Sequence, residues 1–132
     1  MNGALSDMGK KILLIDDEED IITTVSVRLE SAGYVVISAK DGEQGLDLLT
    51  KENPDLVLLD IMMPNMNGYQ MLQKLKEKTK QYGVKRIKPP VIVITAKGEG
   101  VRDLFEMEGI TDYIVKPFES QDLLDRIKKA LE

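Results

Sequence analysis

Short apolar runs and amphipathic stretches take turns along this chain. "KKILLID" (Lys10 to Asp16) is a compact run rich in branched residues and predicts a buried strand. "IITTVSVRLESAG" then places Ile22, Val25 and Leu29 at helical spacing and closes on Gly33, a glycine suited to a helix C-terminus. "YVVIS" predicts a second strand. "GEQGLDLLTKEN" sets Leu46 and Leu49 on one helical face and stops before Pro54. "LVLL" predicts a third strand. "GYQMLQKLKEKTKQYG" turns Met71, Leu72 and Leu75 inward and leaves a basic outer face. "VIVIT", after Pro89 and Pro90, predicts a fourth strand, "VRDLFEMEG" a short helix and "YIV" a fifth strand. "SQDLLDRIKKALE" closes the chain as a helix, with Ser120 as the expected N-cap and lysines near its end.

Fully apolar strands separated by amphipathic helices imply a parallel sheet covered on both faces. Right-handed crossovers leave few ways to connect it. The expected fold is α/β, a doubly wound five-stranded parallel sheet in the order 2-1-3-4-5. An eight-stranded barrel would need about twice the chain. No linker or low-complexity tract interrupts the pattern. The expected organisation is a disordered leader over residues 1–9 and one domain over 10–132.

Composition narrows the chemistry. The chain has 132 residues, no cysteine and no histidine, which excludes thiolate and imidazole metal sites and histidine-based triads. Its formal net charge of -5 argues against a nucleic-acid or anionic-membrane surface. No apolar run approaches membrane length, and "MNGALSDMG" lacks the pattern of a signal peptide. The expected location is the cytoplasm.

In sheets of this order, ligands bind at the carboxyl ends of the strands, near the switch point between strands 1 and 3. The residues found there are polar. Strand 1 runs into Asp16 and Asp17, with Glu18, Glu19 and Asp20 behind them; strand 3 ends in Asp60, strand 4 in Thr95, and strand 5 runs into Lys116. Two unit charges about 4 Å apart repel by about 4 kcal/mol at an effective dielectric near 20, so Asp16, Asp17 and Asp60 together call for a cation. An all-oxygen donor set suits Mg2+. A carboxylate can also act as a nucleophile toward phosphorus. Mg2+, Lys116 and the Thr95 hydroxyl could then each hold one phosphoryl oxygen. The turn "MMPNMNG" after Asp60 carries the chain away and can aim a backbone carbonyl, that of Met62, toward the metal.

Four motifs in order carry a resemblance. They are "ILLIDDEED", "LVLLDIMMPNMNG" with Pro64 and Gly68 four and eight residues after Asp60, "VIVITA" ending in Thr95, and "DYIVKPF" around Lys116. Together they resemble the receiver domain of two-component response regulators, from Lys10 to Leu131. The resemblance implies a flavodoxin-like (βα)5 fold, Asp60 as phosphoacceptor, and Asp16, Asp17, Asp60 and the Met62 carbonyl as the Mg2+ site. It implies Thr95 and Lys116 as phosphoryl contacts and Tyr113 as an aromatic that moves with Thr95 on activation. It also implies a cis Lys116–Pro117 bond, and a sensor histidine kinase or phosphotransfer protein as partner, docking near the first helix around Ile21. The downstream partner is a protein left unnamed by the sequence, with no direct nucleic-acid or membrane contact, and the chain is expected as a monomer or weak dimer. Such a domain catalyses only its own phosphorylation and dephosphorylation.

The chain departs from the family in a slightly short, glycine-punctuated span between Thr95 and Lys116 (Gly98, Gly100, Gly109), and in a long connection up to "KRIKPP". With no effector domain after Leu131, it resembles the single-domain subtype, or a receiver cut from a longer regulator.

Taken singly, each residue has an ordinary structural explanation: acids favour helix starts, Asp favours turns, and Lys116 could be a solvated surface lysine. What opposes those explanations is their coincidence at one edge of one sheet. Two other functions use a similar scaffold. A phosphohydrolase of the haloacid dehalogenase type needs an acid two residues after its nucleophile, where Met62 stands. A flavin carrier needs a hydroxyl- and glycine-rich phosphate loop where "DDEED" stands.

Overall fold

The computed structural model describes residues 7–61, 68–80, 89–96 and 109–132. Five strands, β1 (Lys11–Ile15), β2 (Val35–Ala39), β3 (Leu56–Asp60), β4 (Val91–Thr95) and β5 (Asp112–Val115), form one parallel sheet in the order β2-β1-β3-β4-β5. Four helices are described: α1 (Glu19–Ser31), α2 (Gly42–Glu52), α3 (Gly68–Lys80) and α4 (Ser120–Ala130). The expected "VRDLFEMEG" helix lies outside the described residues.

Strand alternation divides the core in two. Leu13, Ile15, Val57, Leu59, Val91 and Val93 face one way and pack with Met71, Leu72 and Leu75 of α3, with Leu46 and Leu49 of α2 at the margin. Ile12, Leu14, Leu56, Leu58, Ile92 and Ile94 face the other way, against Val25 and Leu29 of α1 and Leu123 and Ile127 of α4. Both faces are covered, which is why β3 and β4 are buried at every position. Each such Leu or Ile contributes about 1.5–3 kcal/mol relative to an exposed one.

Local signals fix the crossovers. At the end of α1, the Gly33 N–H donates to the Glu30 carbonyl and the Tyr34 N–H to that of Leu29. Gly33 takes φ +98°, and Tyr34 and Leu29 share the same core cluster; this is a Schellman end, which only glycine closes without strain. It also explains why β2 starts at Val35 and not at Tyr34. At the start of α2, the Asp41 side chain accepts from the Gln44 N–H at 2.8 Å, and the Gln44 side-chain oxygen accepts from the Lys40 N–H at 2.9 Å, a reciprocal cap. A Cβ placed on Gly45 would stand 2.6 Å from Ile15 Cδ1, so α2 lies closer to the sheet than a side chain at that position permits.

The N-cap of α4 is Glu119, not Ser120. The Leu123 N–H donates to the Glu119 carbonyl, which starts the helical ladder one residue earlier than the hydroxyl signal suggested. Asp7, Met8 and Gly9, from the segment expected as a leader, make a turn in which the Gly9 N–H donates to the Gly33 carbonyl at 2.9 Å. No helix among the described residues is long and apolar enough to cross a membrane.

Candidate functional site at the carboxyl edge of the sheet

Parallel register brings the strand ends level. Ile15 pairs with Leu59, Asp60 with Ile94, and Thr95 with Val115. Backbone bonds continue past the strands: the Asp16 N–H donates to the Ala39 carbonyl at 3.1 Å and the Lys116 N–H to the Thr95 carbonyl at 2.7 Å. Asp16, Asp60 and Lys116 therefore leave the sheet at the same edge, next to Thr95. The Lys116–Pro117 bond is cis, as expected from the sequence.

Alternation also sorts these residues by face. Asp16, Asp60 and Lys116 follow Leu14, Leu58 and Ile114, on the side of α1 and α4. Thr95 follows Val93, whose register partner is Tyr113, on the other side. Tyr113 is half-buried there, against the α2–α3 side of the core.

Asp16, Asp60 and Thr95 are buried polar residues. The Lys116 ammonium donates to Asp16 Oδ2 at 3.1 Å, to Glu18 Oε1 at 3.1 Å and to Asp60 Oδ2 at 3.3 Å. Asp16 Oδ1 also accepts from the Glu18 N–H at 2.9 Å, a turn typical of Asp that points the acid back into the site. Burial alone would push the Lys116 ammonium down. The hydrogen bonds to Asp16 and Glu18 and the charges of Asp16 and Asp60 outweigh it and hold the lysine above its ordinary value, firmly charged.

One ammonium does not balance this cluster. Asp16, Asp17, Glu18 and Asp60 each offer a carboxylate oxygen, and these oxygens lie within 4.8 Å of one another. A hard, all-oxygen, anionic donor set of this kind fits Mg2+. Met62, expected to add a carbonyl, lies outside the described residues.

The sequence reading named Asp16, Asp17, Asp60, Thr95 and Lys116, and the structure brings the first three and Lys116 into one cluster with Thr95 at its border. It gave Glu18 no role; the one signal was its place two residues after Asp16. Glu19 and Asp20, in contrast, sit in the first turn of α1 as helix-start acids do. Beside the site, Ile21, Thr24, Val25, Phe118 and Leu123 line part of a cavity of about 420 Å3 between α1 and α4.

Fold and site define a class: open doubly wound α/β domains with their chemistry at the switch point of the sheet. Within it, the chain belongs to the response regulator receiver domain family, which matches residues 12–128. It is therefore a receiver domain of two-component signalling. It is 38% identical over 125 residues to the alkaline phosphatase synthesis transcriptional regulatory protein PhoP of Bacillus subtilis (strain 168), covering 94% of this chain and 49% of that protein. It is 41% identical over 123 residues to the probable transcriptional regulator ycf27 of Porphyridium aerugineum, covering 92% of this chain and 48% of that one. The chain thus spans about half the length of the curated relatives it matches. Among solved structures, the chemotaxis protein CheY4 of Vibrio cholerae superposes with a TM-score of 0.81 at 29% identity, covering 93% of this chain and 99% of that one. The BeF3-activated receiver domain of Klebsiella pneumoniae RstA gives 0.79 at 26% identity, covering 93% and 99%.

Proposed function

We propose that this domain, over residues 10–132, takes a phosphoryl group onto Asp60 from a histidine kinase or phosphotransfer protein and so switches its binding to a downstream protein, in the cytoplasm. The observation that carries the reading is the Lys116 ammonium 3.3 Å from Asp60 Oδ2, at a strand end crowded with carboxylates. Asp60 is the member that itself ends a central strand, β3. Its oxygen attacks phosphorus, the bond from phosphorus to the donor's nitrogen breaks, and that nitrogen keeps the electron pair. The product is an acyl phosphate on Asp60. Lys116 neutralises charge on one phosphoryl oxygen, and Thr95, across the edge, offers its hydroxyl to another.

Asp16, Asp17 and Asp60, with the Met62 carbonyl, would hold Mg2+. The metal supplies charge neutralisation at the phosphoryl oxygens.

The switch follows from the sorting by face. Thr95 moves toward the new acceptor, and Tyr113, on the same face of the next strand, turns into the space released. The surface of β5 and α4 changes with it. This is a population shift driven by contacts that only the phosphorylated state makes. The kinase is proposed to dock at Ile21 and its surroundings between α1 and α4. The chain carries out no other turnover; a phosphohydrolase would need an acid where Met62 stands.

Acetyl phosphate with Mg2+ tests the core of this reading. It should add one phosphoryl group by intact-mass measurement, and Asp60→Asn should abolish the addition. Phosphate found on any other residue would overturn Asp60 as acceptor.

A further inference from the structure

Lys116 is saturated. An ammonium has three hydrogens to donate, and Asp16, Glu18 and Asp60 take all three. If Asp60 is the phosphoacceptor, as proposed above, a phosphoryl oxygen must take a donor that is already in use. The three carboxylates are not equally easy to dislodge. The Asp16 and Asp60 side chains are 0% and 5% exposed, and a buried carboxylate that loses its cation bears a large desolvation penalty. The Glu18 side chain is 58% exposed, so water takes over as soon as the lysine leaves. Its backbone cannot follow, because Glu18 caps α1 and its N–H is bonded to Asp16. Only the side chain swings.

We propose that Glu18 is a positioning residue that competes with the phosphoryl group for Lys116. In the unphosphorylated domain it holds the ammonium at the mouth of the site. On phosphorylation the lysine turns one donor from Glu18 to a phosphoryl oxygen, and the Glu18 carboxylate goes to solvent. No bond to Glu18 forms or breaks covalently and no proton moves. Glu18 therefore tempers the reaction, and its own charge opposes the incoming anion in the same direction.

The test uses the whole chain at saturating Mg2+, with two readouts. One is the rate of phosphorylation by acetyl phosphate, by mass spectrometry. The other is the equilibrium affinity for beryllofluoride, by fluorine NMR, which involves no transfer to Asp60. Glu18→Gln should raise both by about two- to fivefold, the factor that an exposed ion pair is worth. Glu18→Asp, which keeps the charge, should fall back toward the unmodified protein. Asp20→Asn, which removes a nearby exposed charge from the same helix start, should change neither. The gain in Glu18→Gln should shrink as salt rises. No gain in Glu18→Gln, or an equal gain in Asp20→Asn, would overturn the competition while leaving the acceptor reading intact. Phosphorylation persisting in Asp60→Asn would overturn the acceptor reading itself.

Discussion

Lys116 Nζ reaches Asp60 Oδ2 at 3.3 Å although 56 residues separate them. In the sheet, β4 lies between their strands, so the lysine crosses the end of β4 to reach the acid. The same ammonium reaches Asp16 Oδ2 at 3.1 Å, so it bridges the two buried acids, and the cluster depends on it.

Opposite effects on stability follow for the two partners. Without Mg2+, Lys116→Met leaves two buried carboxylates facing each other without that ammonium. Urea melts should show a loss of about 3–5 kcal/mol, the usual result of breaking a buried pair. Asp60→Asn removes one charge from the crowd and should stabilise the metal-free protein, by about 1–4 kcal/mol, the repulsion of two charges about 4 Å apart between a water-like and an intermediate effective dielectric. Melts that move in the same direction would contradict this picture of the cluster.

Mg2+ should stabilise the domain by mass action, by about 2.7 kcal/mol at a hundredfold excess over its dissociation constant. Asp17 is exposed, so Asp17→Asn should barely change the metal-free melt. It should instead shift the Mg2+ dependence to higher concentration. Identical Mg2+ titrations of the two proteins would remove Asp17 from the site.

Gly45 offers a packing test. Its missing Cβ would meet Ile15 Cδ1 at 2.6 Å, so Gly45→Ala should cost about 1–3 kcal/mol by overpacking. Ile15→Val removes the clashing methyl, and the double variant should recover part of the loss. Strict additivity in a double-mutant cycle would show that the two positions do not touch.

Tyr34 carries a pH signature. Burial pushes its phenol up to about 12, and the charge and hydrogen bond of Asp7 act in the same direction. The folded state therefore holds this proton more tightly than the unfolded chain, whose phenol titrates near 10. The stabilisation is complete below about pH 10 and is lost as pH rises toward 12. Urea midpoints over that window should fall further for the unmodified protein than for Tyr34→Phe.

The fold was legible because both sheet faces are covered: Leu56 to Leu59 and Val91 to Ile94 read as unbroken apolar runs, and no helix explains such runs at that length. The site was legible for a related reason. Parallel strands put Asp16, Asp60, Thr95 and Lys116 on one edge before any coordinates are known. What escaped depends on contacts that leave no periodic trace. Glu18 looked like one more helix-start acid, and its grip on Lys116 arises from a turn at Asp16 and the reach of two long side chains. Gly45 passed as an ordinary helix residue, since its need for closeness to Ile15 exists only after α2 docks. Ser120 and Glu119 both precede the same apolar run, and the carbonyl of Glu119, not a side chain, decides which of them caps.

The order of the strands in the chain has a consequence during synthesis. Asp16, Asp17 and Asp60 leave the ribosome long before Lys116, and domains tend to assemble from the N-terminal side. A nascent sheet of β1, β2 and β3 would thus gather its acids with no lysine to answer them. β5 is the edge strand that brings the cation. Until that last strand docks, Asp16 and Asp60 would lack the ammonium that bridges them in the finished sheet.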